Sequence, residues 1–285
     1  MNSLLNNLFA GRDLVIATKH KKESVIAPIL EKELGVTCFV AKNFDSDKLG
    51  AFSGEIERTK SAIETVKEKC LLAMEANNCD LGIASEGSFG PHPTLFFVPA
   101  DDELVILIDK KNELEIIARK LSTETNFSHK ELTNQAELQE FLIEVDFPAH
   151  GVLLKTNSTG KSRVYKDFEN TNQLIHIYNE LVDKAELVTV ETDMRAMRNP
   201  KRMKVIEQAT HLLIKQIKSI CPSCDTPGFS VAEIKKGLPC ESCGLPTNST
   251  LSHIYSCKSC NYSVEKMHPN KQKTEEPMYC NYCNP

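Results

Sequence analysis

The sequence predicts an α/β fold, with a mixed sheet flanked by helices, followed by a small C-terminal zinc-ribbon-like module with two four-cysteine sites. Three observations point there. The first forty residues read as strand, helix, strand. Short apolar runs then alternate with stretches of helical period up to residue 220. Eight of the eleven cysteines lie after residue 220, all in Cys-x-x-Cys pairs. The expected organisation is an α/β domain over 1–198, a connecting helix over 199–220 and a double zinc-binding module over 221–285.

"DLVIAT" (13–18) is a short apolar run and reads as a buried strand. "KKESVIAPILEKELG" places Val25, Ile26, Ile29, Leu30 and Leu34 at helical spacing, with Gly35 as its stop. "VTCFVA" (36–41) closes a βαβ unit. "SAIETVKEKCLLAMEANN" (61–78) is a helix opened by a Ser61/Glu64 capping box. "DLGIAS" (80–85) is a strand, followed by the loop "EGSFGPHP". "TLFFVPA", "ELVILID" and "ELEIIARKLS" read as three successive antiparallel strands. Residues 134–145 form a helix, "GVLLKTN" and "SRVYKDF" a strand pair, 171–185 a helix and 186–192 a strand. The last helix starts at "NPKRMK", with Asn199 as N-cap and Pro200 at its first position.

Composition narrows the function classes. The 285-residue chain is 41% hydrophobic and 26% charged, which suits a packed globular protein. Its net charge of −5 argues against a general polyanion binder. No apolar run approaches the ~18 residues of a membrane-spanning helix. The start, "MNSLLNNLFAGRDLVIATKHKK", has no basic segment of the signal-peptide kind. The expectation is a cytoplasmic protein without a membrane anchor, in a reducing compartment where paired cysteines bind metal more often than they form disulfides. Cys38, Cys70 and Cys79 lie in apolar surroundings and read as small core residues.

The four pairs are Cys221/Cys224, Cys240/Cys243, Cys257/Cys260 and Cys280/Cys283. Each knuckle delivers two thiolates from one turn, and two knuckles complete a tetrahedral zinc site. Two structural Zn²⁺ ions are expected; an iron–sulfur cluster and a redox dithiol are the competing readings. Sequential pairing of the knuckles closes loops of 15 and 19 residues, and nested pairing closes loops of 13 and 55. Loop entropy favours the first by only about 0.8 kcal/mol and leaves the pairing open. Four thiolates per site leave no open position for catalysis, so His253 and His268 are surplus. With six Lys, no Arg and six acids over 221–285, the metal-loaded module is anionic and a poor nonspecific nucleic-acid binder. Tyr255, Tyr262, Tyr279 and Tyr282 are available to stack bases but fit better as filling for a small core.

Ligands of open α/β sheets gather at the carboxyl ends of strands. Three such ends carry chemistry here. The first holds Thr18, Lys19, His20, Lys21 and Lys22, and the second Ser85, Glu86, Gly87, Ser88 and His92. The third holds Glu191, Asp193, Arg195, Arg198, Lys201, Arg202 and Lys204. Cations in the first turn of a helix oppose its dipole, and a bound anion would relieve the conflict. The expected substrate contacts are Thr18, Lys19, Lys22, Gly87, Arg195, Arg198, Lys201 and Arg202. Glu86, Glu191 and Asp193 are the candidate catalytic carboxylates, with Mg²⁺ as their cofactor. "SEGSFG" is not a Gly-x-Ser-x-Gly elbow, so a serine hydrolase built on Ser85 or Ser88 with His92 is disfavoured.

Two resemblances bear on these residues. "IATKHKKESVIAPILEKELGV", "SAIETVKEK" and "CDLGIASEGSFG" are similar to the inosine/xanthosine triphosphate pyrophosphatases. That likeness covers about 13–90 and implies phosphate contacts at Thr18 and Lys22 and a Mg²⁺ role for Glu86. Its matching positions are Thr18, Lys22, Glu64, Thr65, Asp80, Glu86 and Gly87. It departs at Lys19, at Ser88 and in the continuation of the Glu64-Thr65 helix. "STETNF", "FPAHGVLLK", "ETDMRAMRNPKRM" and "CPSCDTPGF…GLPCESCG" resemble an uncharacterised bacterial family with a zinc-ribbon-like tail, which implies an architecture and no activity. The leading expectation is a protein that binds a phosphorylated small molecule or nucleotide, in its enzymatic form a Mg²⁺-dependent phosphohydrolase. The alternative is a non-enzymatic adaptor whose tail contacts a protein or RNA partner.

Overall fold

The computed structural model describes residues 3–44, 60–158, 161–184 and 187–285. It divides into two compact units, Met1–Ile214 and Lys215–Pro285. The predicted helix end at 185 and strand start at 186 lie outside the described residues.

The first unit opens with α1 (Ser3–Phe9), β1 (Asp13–Ala17), α2 (Glu23–Leu34) and β2 (Thr37–Val40). The predicted βαβ unit is present, with β1 and β2 parallel from Asp13↔Thr37 to Ile16↔Val40. The helix α3 (Ala62–Ala76) begins at the predicted capping box, Ser61 and Glu64 each bonding the other's backbone. It leads into β3 (Leu81–Pro91), which runs parallel to β1 on its other side. β4 (Pro99–Asp109) and β5 (Leu114–Ser122) continue antiparallel. The sheet order is β2-β1-β3-β4-β5. The α3 residues Val66, Cys70, Ala73 and Met74 pack on Val15, Ala17, Ala84, Leu104, Ile106 and Ile108.

Here the hairpin differs from the sequence reading. "EGSFGP" is not a loop but the second half of β3, and "TLFFV" is not a strand but the hairpin turn, because the ladder with β4 runs unbroken from Leu81↔Asp109 to Pro91↔Pro99. Leu95, Phe96 and Phe97 are left exposed at the tip, where His92 Nδ1 accepts the Thr94 and Leu95 N–H groups.

A second sheet follows in the same unit: β6 (His129–Leu132), α4 (Gln135–Glu144), β7 (Val152–Ser158), β8 (Lys161–Tyr165), α5 (Thr171–Asp183) and β9 (Val188–Thr192). Its order is β6-β9-β7-β8, all antiparallel. α4 and α5 cover one face through Leu138, Phe141, Leu174, Tyr178 and Leu181. A short 3-10 turn at Ala196–Arg198 precedes α6 (Pro200–Ile217). As predicted, Asn199 caps α6, its Oδ1 accepting the Arg202 N–H at 3.0 Å.

The second unit is a three-stranded antiparallel meander, β10 (Ser230–Lys236), β11 (Thr250–Ser256) and β12 (Ser263–Met267), with a knuckle before, between and after the strands. No described helix is long and apolar enough to cross a membrane.

Candidate functional site

Two of the three predicted strand ends converge on a cleft in the first unit. The start of α2 supplies Lys21, Ser24 and Val25, and the 3-10 turn with the start of α6 supplies Met197, Pro200, Met203 and Lys204. The cleft has a volume of about 440 Å³. Its lining is part apolar and part charged: Lys21 and Lys204 belong to the starts of α2 and α6, Glu207 follows one turn along α6, and Lys204 also pairs loosely with Glu124 at 3.8 Å. Lys19 and Lys201 are exposed nearby in sequence.

Beneath the surface the same elements hold a network of buried charges. Lys22 is buried, and its Nζ donates to Ser85 Oγ at 2.9 Å and to the Ser85 carbonyl at 3.3 Å. Burial, and then the charge of Arg202, push the Lys22 ammonium down to about 7, with Lys69 adding to the fall and Glu103 and Glu86 opposing it. Glu86 is not free to take a metal: Lys69 Nζ, from the buried face of α3, holds it at 2.5 Å. Arg202 is fully buried and pairs with Glu103 at 2.6 Å, donates to the Met194 carbonyl and lies over the Phe89 ring. It therefore ties the start of α6 to the sheet rather than facing a ligand. Gly87 makes that pair possible: a Cβ there would sit 2.5 Å from Glu103 Oε1 and 2.7 Å from Arg202 Nη2. Two residues from Glu103 on the same face of β4, Asp101 is buried with neither carboxylate oxygen hydrogen-bonded among the described residues. Burial and the nearby Glu103 push its carboxyl up to about 8.

The remaining predicted residues fall elsewhere. Asp193 is buried and bound by the Arg195 guanidinium at 2.7–3.1 Å, and Arg195 and Arg198 both reach Asp167. Glu191 pairs with Lys155 at 2.6 Å. Thr18 Oγ1 accepts the His20 N–H. Glu86, Glu191 and Asp193 thus each have a cationic partner. Among the described residues no group of three metal-ligating side chains includes any of them. The three carboxylates expected to share a magnesium ion are therefore not gathered into one set among the described residues. Lys69, Asp101 and Glu103 escaped the sequence reading although period alone marks them. Lys69 is on the Val66/Ala73 face of a helix, and Asp101 and Glu103 alternate in register with buried Val105 and Leu107.

The candidate metal sites lie in the second unit. Cys221, Cys224, Cys257 and Cys260 form one group and Cys240, Cys243, Cys280 and Cys283 the other. This is neither sequential nor nested pairing. The meander explains it: each strand carries the chain to the opposite end of the sheet, so the first and third knuckles meet at one end and the second and fourth at the other. In each knuckle the residue after the second cysteine donates its N–H to the first cysteine's carbonyl: Asp225 to Cys221, Gly244 to Cys240, Asn261 to Cys257 and Asn284 to Cys280. Asp225, Gly244 and Asn261 do so with positive φ, the conformation Gly, Asn and Asp tolerate best. Sulfur–sulfur distances of 3.6, 3.7, 3.7 and 3.9 Å match the ~3.8 Å edge of a tetrahedron with Zn–S bonds of about 2.3 Å. They are far from the ~2.05 Å of a disulfide. The eight thiols fit two metal ions, and zinc suits the all-sulfur tetrahedra. Of the four tyrosines, Tyr255 and the partly exposed Tyr262 pack on Phe229 beside the first site, whereas Tyr279 and Tyr282 are more fully exposed.

Residues 69–285 match the model of DUF6671, a domain of unknown function, and the chain belongs to that family. A comparison with curated proteins finds no match.

Proposed function

We propose that the first unit binds a phosphorylated small molecule, with a nucleotide as the preferred class, and that the second is braced by two structural zinc ions. The observation that carries the reading is the convergence of two cation-bearing strand ends on one cleft, at the first turns of α2 and α6. Lys21 and Lys204 would face phosphate oxygens, helped by the two helix starts. Val25, Met197 and Met203 would cover an apolar or aromatic moiety, and methionine suits a flat, variable partner. The likeness to the triphosphate pyrophosphatases supports the same end of the sheet, since Thr18 and Glu86 lie on the neighbouring parallel strands β1 and β3 or just beyond their paired residues. Hydrolysis is the enzymatic form of this reading. It draws on cations and buried acids, with no step assigned to Mg²⁺.

The test is a thermal-shift and calorimetric screen of nucleoside mono-, di- and triphosphates and inorganic phosphate, with and without Mg²⁺, alongside assays of released phosphate and pyrophosphate. Binding is expected, and the Lys21→Glu/Lys204→Glu double variant should weaken it at least tenfold. If no phosphorylated compound binds the wild type, the reading falls. A second reading has one observation of its own: Met278, Tyr279 and Tyr282 form an exposed apolar and aromatic stretch at the second metal site. It would suit a protein or RNA partner, and the Tyr279→Ala/Tyr282→Ala variant would then lose a partner without losing zinc.

A further inference from the structure

We infer that Ser85 and Lys22 form a nucleophile–base dyad, in which the Lys22 amine takes the Ser85 hydroxyl proton as Ser85 Oγ attacks a phosphoryl group. Sequence reading found no such pair because its members lie 63 residues apart, on β3 and at the start of α2. The parallel pairing of β1 with β3 brings them together: Ala17 sits opposite Ala84, so the turn after β1 and the residue after Ala84 are neighbours.

The contact is one that a neutral amine can reverse: Nζ donates to Ser85 Oγ and to the Ser85 carbonyl, and on loss of one proton it would keep the carbonyl bond and accept from the hydroxyl. The Nζ···Oγ distance is 2.9 Å, and the second contact, to the Ser85 carbonyl at 3.3 Å, fixes the amine over its own serine. Both side chains are buried, which disfavours the ammonium form. The charges around it come from four elements, and one of them, Asp101 of β4, is buried near Lys22 with no hydrogen bond to it among the described residues. Arg202 of α6 is paired with Glu103 of β4, and Lys69 of α3 with Glu86 of β3. No carboxylate hydrogen-bonds Lys22 among the described residues, so nothing there holds the proton on it in the way a salt bridge would. The lowered position of the ammonium, near neutrality, agrees with this arrangement.

The chemistry balances without a cofactor. The Ser85 Oγ–P bond forms as the bond from phosphorus to the leaving oxygen breaks. The hydroxyl proton passes to Lys22, and the ammonium returns it to the leaving oxygen. Water then attacks the phosphorus of phosphoserine as the Ser85 Oγ–P bond breaks; Lys22 takes a proton from the water and returns it to Ser85 Oγ, which releases phosphate and restores both the serine and the neutral amine. The choice of a phosphoric ester or anhydride as electrophile rests on the ligand class proposed for the first unit; the dyad does not, since Ser85 and Lys22 are buried behind the cleft and are not among its lining residues.

The experiment treats the full-length, zinc-loaded protein with excess diisopropyl fluorophosphate, a neutral probe whose P–F bond breaks as Ser85 Oγ–P forms. The site is mapped by peptide mass spectrometry. The expected result is one adduct on Ser85, absent from Ser85→Ala, with a labelling rate that rises with pH to a plateau above neutrality. Lys22→Met, checked for folding by circular dichroism, should label on the order of 100-fold more slowly. An unlabelled Ser85 in the wild type, a label on another serine, or equal rates in the wild type and Lys22→Met would each overturn the dyad. The labelling is measured with no phosphate ligand present and the ligand screen with no probe, so failure of the cleft and failure of the dyad are read separately.

Discussion

In the metal module every ligand comes with a neighbour three residues away, whereas in the buried charge network of the first unit every partner comes from a different element. Cys221 and Cys224 share a turn that bonds its own backbone. Lys22, Ser85, Lys69, Glu86, Glu103 and Arg202 are gathered from α2, β3, α3, β4 and α6 or their edges. The local design puts its cost on one ion, which must be bound before the turns are worth making. The dispersed design puts its cost on packing, because each charge is tolerable only while a distant partner holds its place. The two should break differently.

The largest effect is expected where the ion is removed. Structural zinc contributes apparent binding energies of about 10–16 kcal/mol, so chelation should unfold the second unit. The interleaved pairing adds a specific consequence. Cys257→Ser damages the first site directly, yet its knuckle stands between β11 and β12, which also lead to the knuckles of the second site. Release of both metals is therefore expected from this single change, measured as zinc per chain by plasma mass spectrometry and as loss of amide protection across 221–285. Retention of one tightly held zinc would show that the two sites stand independently.

A smaller loss should follow from one methyl group in the charge network. Gly87→Ala pushes a Cβ into the Glu103–Arg202 pair, and separating a fully buried pair costs about 3–5 kcal/mol. Gly90→Ala, on the same strand, meets nothing within 4 Å and should stay within about 0.5 kcal/mol of the wild type. Urea unfolding of both variants provides the comparison. Equal stabilities would mean that the ion pair moves aside and does not hold α6 to the sheet.

This contrast also explains what could be read from the sequence. Eight cysteines at fixed spacing announce their chemistry because the constraint is local. Their pairing was missed because it depends on strand direction, which loop entropy does not contain. The βαβ unit, the Ser61/Glu64 box and the Asn199 cap were legible for the same local reason. The Glu103–Arg202 pair was not, since 99 residues separate its members and nothing near either one names the other. Cations and glycines at strand ends often serve as ligand contacts, whereas Arg202 and Gly87 are buried here, side by side at the Glu103 carboxylate. The Lys22 amine points to Ser85, a contact across 63 residues that no local pattern announces.

The smallest predicted effect tests Asp101, the acid of the network with no hydrogen bond or ion pair among the described residues. Asp101 has its carboxyl raised to about 8 by burial and by Glu103, against the opposing charges of Arg202 and Lys22 and with Asp102 adding to the rise. Between about pH 4 and pH 8 the folded chain therefore holds a proton that the unfolded chain has released, and stability falls as pH rises through that window. Asp101→Asn removes the titration while keeping the shape. It should match the wild type near pH 4–5 and exceed it by on the order of 2–4 kcal/mol at pH 8, read from urea unfolding across the range. Lys22, lowered towards 7, works in the opposite sense above neutrality, but it is present in both proteins and largely drops out of the difference. A variant less stable than the wild type at pH 8 would mean that the Asp101 carboxylate is stabilised as an anion. A bound cation or a donor from a ligand would then have to lie against it.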